Sequence, residues 1–380
     1  MFKTSDVDRK PLLYMHKIKQ LLAIIAFATF PLATNGALKD SIKLSLDPPS
    51  IALGNKFKLQ LNGYAQAHYE LTSIDKKVDN DFQVKRVMLI GNAMVGKRLR
   101  AMVMVDLASR RSDRFLHEYF MEYSFMPELK VRVGQFKQPF MLENIYIPTI
   151  LGALNMTEGT RYMAGIAGDP LQGNMVGRDL GIMVSGEALP MKDGHRLMAY
   201  SLGVFNGAGL NQRDNNKAKD VIGMLQIYPT KNLQLTTSCI IGRGHAVEDS
   251  PYGDILQGEN YKRLRWSAGI EWKEGPLYLR SEYTRGRNGN IRSQAFYAES
   301  SVRTFKNFDV VANYDFLDRN IGLPHDVRHS MARATKSHNY TLGFQYWIWR
   351  QCRVATQYVH TRNDNGKNSH QWLTQFQFSF

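Results

Sequence analysis

From residue 56 to the end, the chain is written in twos, and the segments that follow this period are joined by connections sorted by length. In "RLRWSAGIEWKEGPLYLRSEYTRGR" (263–287), Leu264, Trp266, Ala268, Ile270 and Trp272 share one face, and Arg263, Arg265, Ser267, Gly269 and Glu271 share the other. The pattern resumes after "KEG" with Leu277, Leu279, Ser281 and Tyr283 against Tyr278, Arg280, Glu282 and Thr284, which makes a hairpin. Scoring alternation and turn residues predicts sixteen strands, at 56–72, 83–95, 97–109, 115–125, 129–140, 178–189, 195–207, 220–230, 233–244, 263–273, 276–287, 293–305, 308–319, 338–350, 352–363 and 370–380. Between them, longer connections (73–82, 110–114, 141–177, 208–219, 245–262, 288–292, 320–337) alternate with tight ones. A soluble sandwich has no reason to sort its loops this way. An even-stranded antiparallel transmembrane barrel does, with its termini on the side of the tight turns.

Strand length agrees, since about 11 residues rising roughly 3.3 Å each and tilted near 40° cross an apolar band about 25 Å tall. No run of about 20 apolar residues follows residue 40, so the barrel is the spanning element. Closure also supplies every backbone N–H and C=O with a partner inside lipid. Aromatic residues near strand ends, among them Tyr340, Tyr346, Trp347, Trp349 and Tyr358, suit interfacial girdles. The last strand puts Trp372, Phe376, Phe378 and the terminal Phe380 on one face.

The N-terminal stretch "MHKIKQLLAIIAFATFPLATNGA" has the basic, apolar and small-residue regions of an export signal. The expected organisation is a signal peptide over 1–36, with Met15 as an alternative initiator, a periplasmic segment over 37–55 and the barrel over 56–380. The whole chain carries a formal charge of +15; residues 1–36 hold five of its 49 basic and two of its 34 acidic residues, leaving an excess of 12. Such an excess points to anionic solutes or an anionic membrane, and export removes intracellular nucleic acid as a partner. The two cysteines, Cys239 and Cys352, make no disulfide framework and no zinc pattern. No cofactor is expected.

Strand parity turns Arg98, Arg100, Lys130, Arg132, Arg263, Arg265, Arg280 and Arg353 toward the lumen, and Arg161 lies in the longest loop. Two readings stand side by side. Fixed positive charges in a narrow pore lower the entry barrier for anions; alternatively, these groups pair across strands with carboxylates such as Asp106, Glu271 and Glu282 and merely solvate the wall.

The segments "LKVRVGQFKQPFMLEN" (129–144), "VGRDLGIMVSG" (176–186) and "YSLGVFNG" (200–207), preceded by "HEYFMEYSF" (117–125), resemble the phosphate-selective porin O/P family of Gram-negative outer membranes. The resemblance covers roughly residues 83–230. It implies a sixteen-stranded outer-membrane barrel, commonly a homotrimer, whose long third loop, here 141–177, folds into the lumen, and a pore for small anions, phosphate among them. This chain departs from the pattern: that loop carries Arg161 against Glu143, Glu158 and Asp169, and the loop 245–262 carries Glu248, Asp249, Asp254 and Glu259 with a single Lys262. The third loop's apolar residues, including Ile145, Ile147, Ile150, Leu151, Leu154, Met163 and Ile166, are too many for a solvated excursion. Two other readings stay open: a scaffold or adhesin barrel, and a barrel hydrolase built on His360 and Ser369.

Overall fold

The structure is a computed structural model, and it describes residues 50–53, 56–75, 77–173, 175–349 and 352–380. The export signal and most of the 37–55 segment lie outside the described residues. Seventeen strands form one antiparallel sheet: β1 (Ser50–Leu53), β2 (Phe57–Ile74), β3 (Lys77–Val95), β4 (Leu99–Asp106), β5 (Leu116–Met126), β6 (Leu129–Lys137), β7 (Arg178–Pro190), β8 (Arg196–Phe205), β9 (Asp220–Thr230), β10 (Leu233–His245), β11 (Asn260–Glu274), β12 (Leu277–Asn288), β13 (Ile291–Phe305), β14 (Phe308–Asp318), β15 (Lys336–Trp349), β16 (Cys352–Asn363) and β17 (Ser369–Ser379). Each strand from β2 to β17 pairs with its sequence neighbours, and β17 pairs back on β2 from Ser369↔Ile74 to Ser379↔Tyr64. The result is a closed sixteen-stranded barrel. Strand β1 pairs with residues 57–60 of β2, beyond the end of β17.

The closing seam ends on a reciprocal pair of backbone bonds, Gly63 N to Phe380 O (3.1 Å) and Phe380 N to Gly63 O (3.0 Å). An added Cβ at 63 would lie 2.8 Å from the Met88 carbonyl oxygen and 2.5 Å from the Phe380 ring, so glycine suits this close approach.

The barrel is apolar outside and polar inside. Leu264, Trp266 and Ile270 are exposed on the outer face of β11, while Arg263, Arg265 and Ser267 between them are buried. The same holds on β17, where Phe376 and Phe378 are exposed and Gln375, Gln377 and Ser379 are buried. An apolar exterior belt on a closed sheet is the surface of a membrane-spanning barrel. No helix among the described residues is long and apolar enough to cross a membrane.

Strand limits follow the alternation closely, with three departures. The first connection is not a ten-residue loop: β2 and β3 pair up to Ile74↔Lys77, so residues 77–82 extend a polar hairpin beyond the apolar belt. The connection between β12 and β13 is a tight turn at 289–290. Length therefore sorts the two ends less strictly than the sequence predicts; one end has only short turns, and the other has both kinds. Finally, β4 begins at Leu99, which leaves Arg98 exposed in the 96–98 turn instead of on the wall.

Residues 138–177, between β6 and β7, carry two short helices, α1 (Leu142–Ile145) and α2 (Glu158–Met163). Their backbone amides donate to side chains on the polar inner face. Met141 N reaches Ser238 Oγ (3.0 Å), Leu142 N reaches Glu282 Oε1 (2.9 Å), Ala153 N reaches Glu299 Oε2 (2.9 Å) and Leu154 N reaches Gln357 Oε1 (2.9 Å). Of the loop's apolar side chains, Leu151, Leu154 and Met163 are buried, whereas Ile147 and Ile150 are exposed.

Candidate functional site: the lumen and its charged wall

Two cavities lie inside the barrel. The larger, about 1170 Å³, opens toward the end that carries the longer loops and is bordered by β2–β5, β14–β17 and residues of the 138–177 segment. The smaller, about 610 Å³, lies toward the tight turns and is bordered by Asn92, Arg100, Phe120, Arg132, Ile145 and Ile147 among others. Tyr64 and Lys137 border both.

The sequence-predicted residues divide into groups. Arg263, Arg265 and Arg280 are buried on the inner face, and each meets a carboxylate. Arg263 binds Asp220 and donates to Gln172 Oε1 at 2.8 Å. Arg265 joins Asp169 (2.9 Å), Asn288 (3.0 Å) and the Met163 carbonyl, so it fastens the 138–177 segment to β11. Arg280 joins Glu299 at 3.0 Å and is ringed by Tyr146, Tyr278 and Tyr297. Arg353 is also buried; it donates to Gln345 and lies 5.2 Å from the Trp347 ring centre.

Arg100 and Arg132 line the smaller cavity. Arg132 is neutralised by Glu122 at 2.5 Å and stacks over Phe120, and Arg100 donates to Asn92 Oδ1 at 2.8 Å. Lys130 lies 3.7 Å from Glu187, and Arg161 pairs with Glu158 at the rim of the larger cavity. Arg98 borders neither cavity. The carboxylate partners differ from those the sequence suggests. Glu282 accepts from Leu142 N, Glu271 accepts from Tyr146 (2.7 Å) and Tyr278 (3.0 Å), and Asp106 accepts from the amides of Val87 and Ala108.

Lys85, Arg86 and Lys137, which the parity argument passes over, border the larger cavity. Lys85 Nζ donates to Leu154 O (2.7 Å) and Asn155 Oδ1 (2.6 Å), and Lys137 Nζ donates to Tyr146 O (2.6 Å). No described ion pair within 4.0 Å includes any of the three, and the two lysines are oriented by neutral oxygen acceptors. Lys85 and Arg86 can share the inner face because β3 carries a bulge: Gln66 pairs with Arg86 and Ala67 with Val84, which leaves Lys85 extra. The adjacent "KR" in an otherwise alternating strand is the one trace of this in the sequence.

The quoted motifs converge on a network at the foot of the 138–177 segment. Arg178 of "GRDLG" binds Glu118 of "HEYF" at 2.8 Å. Asp179 accepts from Gly207 N of "GVFNG" at 2.5 Å and from Gln138 of "FKQPF" at 3.4 Å. In "RVGQF", Gly134 adopts φ 135, and an added Cβ would lie 2.2 Å from Tyr119 O. These residues fix where the segment leaves and rejoins the wall. Within it, Glu143 accepts from Thr157 N and Oγ1, and burial raises its carboxyl above the ordinary value.

His360 and Ser369 do not meet. His360 stacks on His370 of the outer face at 4.6 Å, whereas Ser369 borders the larger cavity. Among the described residues, no group of three or more His, Cys, Asp or Glu could hold a metal ion.

No family model matches the sequence, and no curated protein matches it. Solved structures do. An anion-selective porin from Comamonas acidovorans superposes with a TM-score of 0.61 at 13% identity, covering 86% of this chain and 100% of that one. Pseudomonas putida OprB gives 0.61 at 12% identity, covering 86% and 94%. The trimer form of OmpT, an outer membrane protein of Vibrio cholerae, gives 0.59 at 14% identity, covering 85% and 99%. At such identities what is shared is the architecture, and this chain has the fold of the bacterial outer-membrane porins, a closed sixteen-stranded barrel.

Proposed function

We propose that the protein is an outer-membrane porin that passes small hydrophilic solutes by diffusion and favours anions. The observation that carries this reading is the larger cavity, whose lining holds more basic than acidic residues and where Lys85, Arg86 and Lys137 belong to no described ion pair within 4.0 Å. In a water-filled pore with low-dielectric walls, such charges raise the local concentration of anions and lower that of cations without forming a tight site. Arg100 and Arg132 extend the polar wall on the side of the tight turns. Phosphate is one anion that a cavity lined in this way would serve, and the resemblance to phosphate-selective porins supports it. Arg263, Arg265 and Arg280 hold the 138–177 segment against the wall in this reading, and that segment narrows the lumen at Tyr64 and Lys137. The trimer form of the Vibrio cholerae structure supports a homotrimer.

The test is the reversal potential in planar bilayers under a KCl gradient, repeated with phosphate as competitor. Anion preference is the expected sign, and cation preference would overturn the reading. Block by phosphate would narrow it to phosphate; its absence would leave a general anion pore. Deleting residues 148–170 is expected to enlarge the single-channel conductance, and an unchanged conductance would remove the segment from the pore.

A further inference from the structure

The outer face of β10–β13 changes character abruptly near the end with the longer loops. Below that level the outward residues are apolar or small: Ile241 and Cys239 on β10, Leu264 and Trp266 on β11, Tyr283 on β12 and Phe296 on β13. Toward the loop end of these strands stand Arg243, Lys262, Arg285, Arg287 and Arg292, all exposed, with Arg287 directly opposite Leu264 and Arg285 directly opposite Trp266. The register sets them directly against one another, with Arg243 opposite Lys262 and Arg287 opposite Arg292. Like charges placed opposite each other on a sheet are destabilising, and no described ion pair within 4.0 Å relieves any of the five; Arg287 Nε donates to Gly289 O at 2.7 Å. The outer rim of β3–β5 is different, carrying exposed Phe82, Leu107 and Phe115. Exposed cations occur singly elsewhere on this rim, as at Arg362 of β16, but five stand together only on β10–β13 among the described residues.

An exterior depression of about 560 Å³ lies in this patch, bordered by Lys262, Leu264 and Arg287, and by Asp254 and Glu259 of the 246–259 loop. Glu259 is engaged with Leu256 N at 3.0 Å, and neither acid lies within ion-pair distance of Lys262 or Arg287. The surface thus sets cations directly beside the apolar Leu264 and beside an aromatic pair, Trp266 and Tyr283, with ring centres 5.6 Å apart. Aromatic residues of this kind sit at headgroup level.

We propose that this patch is a binding site for the phosphorylated headgroup of a lipid in the surrounding leaflet, with its acyl chains lying along Leu264, Trp266 and Phe296. Phosphate oxygens between Arg287 and Arg292 relieve the like-charge contact, and planar guanidinium groups suit them in bidentate geometry. The apolar belt directly beneath selects a lipid over a free anion, because a free anion gains nothing from it.

The test compares the wild type with an R285Q/R287Q/R292Q variant in phosphatidylcholine nanodiscs doped with bis-phosphorylated lipid A or with its dephosphorylated counterpart. Retained lipid is counted by native mass spectrometry after detergent extraction. Each cation near an anionic surface favours binding by roughly fivefold, so the wild type is expected to keep the phosphorylated lipid at least about tenfold better, and the variant to lose that preference. Equal retention of the two lipids by the wild type overturns the site. Inorganic phosphate titrated in detergent without lipid separates the sources: phosphate binding that the variant loses, with no lipid preference in the wild type, would make this a free-anion site. Loss of the oligomer in the variant with lipid retention unchanged would make it a contact between copies and also overturn the proposal. If heat-modifiable electrophoretic mobility shows the triple variant unfolded, Arg292→Gln alone is expected to reduce the preference by about fivefold.

Discussion

Two stretches of the inner wall use basic residues in opposite ways. On β11 and β12, Arg263, Arg265 and Arg280 are buried, matched by Asp220, Asp169 and Glu299, and spent on holding residues 138–177 in place. On β3 and β6, Lys85, Arg86 and Lys137 border open space, and the two lysines are steered by carbonyl and amide oxygens. Facing the lumen is thus not the same as being available to a solute. The difference lies in what fills the space opposite each group: packed protein in the first stretch, a cavity in the second.

The sharpest way to break this division is Arg265→Ala. It leaves the buried Asp169 without a countercharge and the Met163 carbonyl without its donor. A loss of about 3–5 kcal/mol is expected, read as a lower urea midpoint of the detergent-folded protein; unchanged stability would remove the structural role assigned to β11. Next is Lys85→Gln with Lys137→Gln. A unit charge acting at about 8 Å in water, attenuated once by screening, is worth roughly 0.2 kcal/mol. Two such charges act on anion and cation with opposite sign, so the anion-to-cation permeability ratio is expected to fall about fourfold in reversal-potential measurements. A smaller effect is expected from removing a neutral pair: Arg132→Gln with Glu122→Gln changes no net charge and leaves that ratio within about 1.5-fold. Smallest of all is Arg98→Gln, at an exposed turn that borders neither cavity; it is expected to leave the reversal potential where it was, and a clear shift would return Arg98 to the pore.

Much of the barrel is legible in the sequence because lipid on one side and water on the other impose a strict period of two. The strands expected at 233–244 and 352–363 appear at Leu233–His245 and Cys352–Asn363. The period fails where that asymmetry ends. Residues 77–82, "KVDNDF", look like a loop because water bathes both faces of the hairpin and no alternation is required of it, yet they pair residue by residue with β2. It fails again at the bulge that turns Lys85 inward, since one extra residue shifts parity and leaves no trace but the adjacent "KR". Pairing is harder still to read. The carboxylates that neutralise Arg263, Arg265 and Arg280 come from another strand or from the long connection, and Asp169 lies 96 positions away from Arg265 in the chain. No local pattern contains such a contact. The motifs "RVGQF", "GRDLG" and "GVFNG" were readable as a resemblance, and their shared task, the Asp179 and Arg178 network, emerges only in three dimensions.

The bonds that tether the 138–177 segment also set a timetable. Every acceptor that holds its backbone amides on the far wall, from Ser238 through Glu282, Glu299 and Asp315 to Gln357, is synthesised after the segment itself. Until β10–β16 exist, amides such as those of Met141, Leu142 and Ala153 lack these partners, and the growing sheet has no far wall on which to seat them. The slowest contacts to form are those most separated along the chain, and here they are the contacts that define the lumen's width as well as the β2–β17 seam. The seat of the segment is complete only when the far wall is in place, so the width of the lumen is fixed only as the cylinder closes.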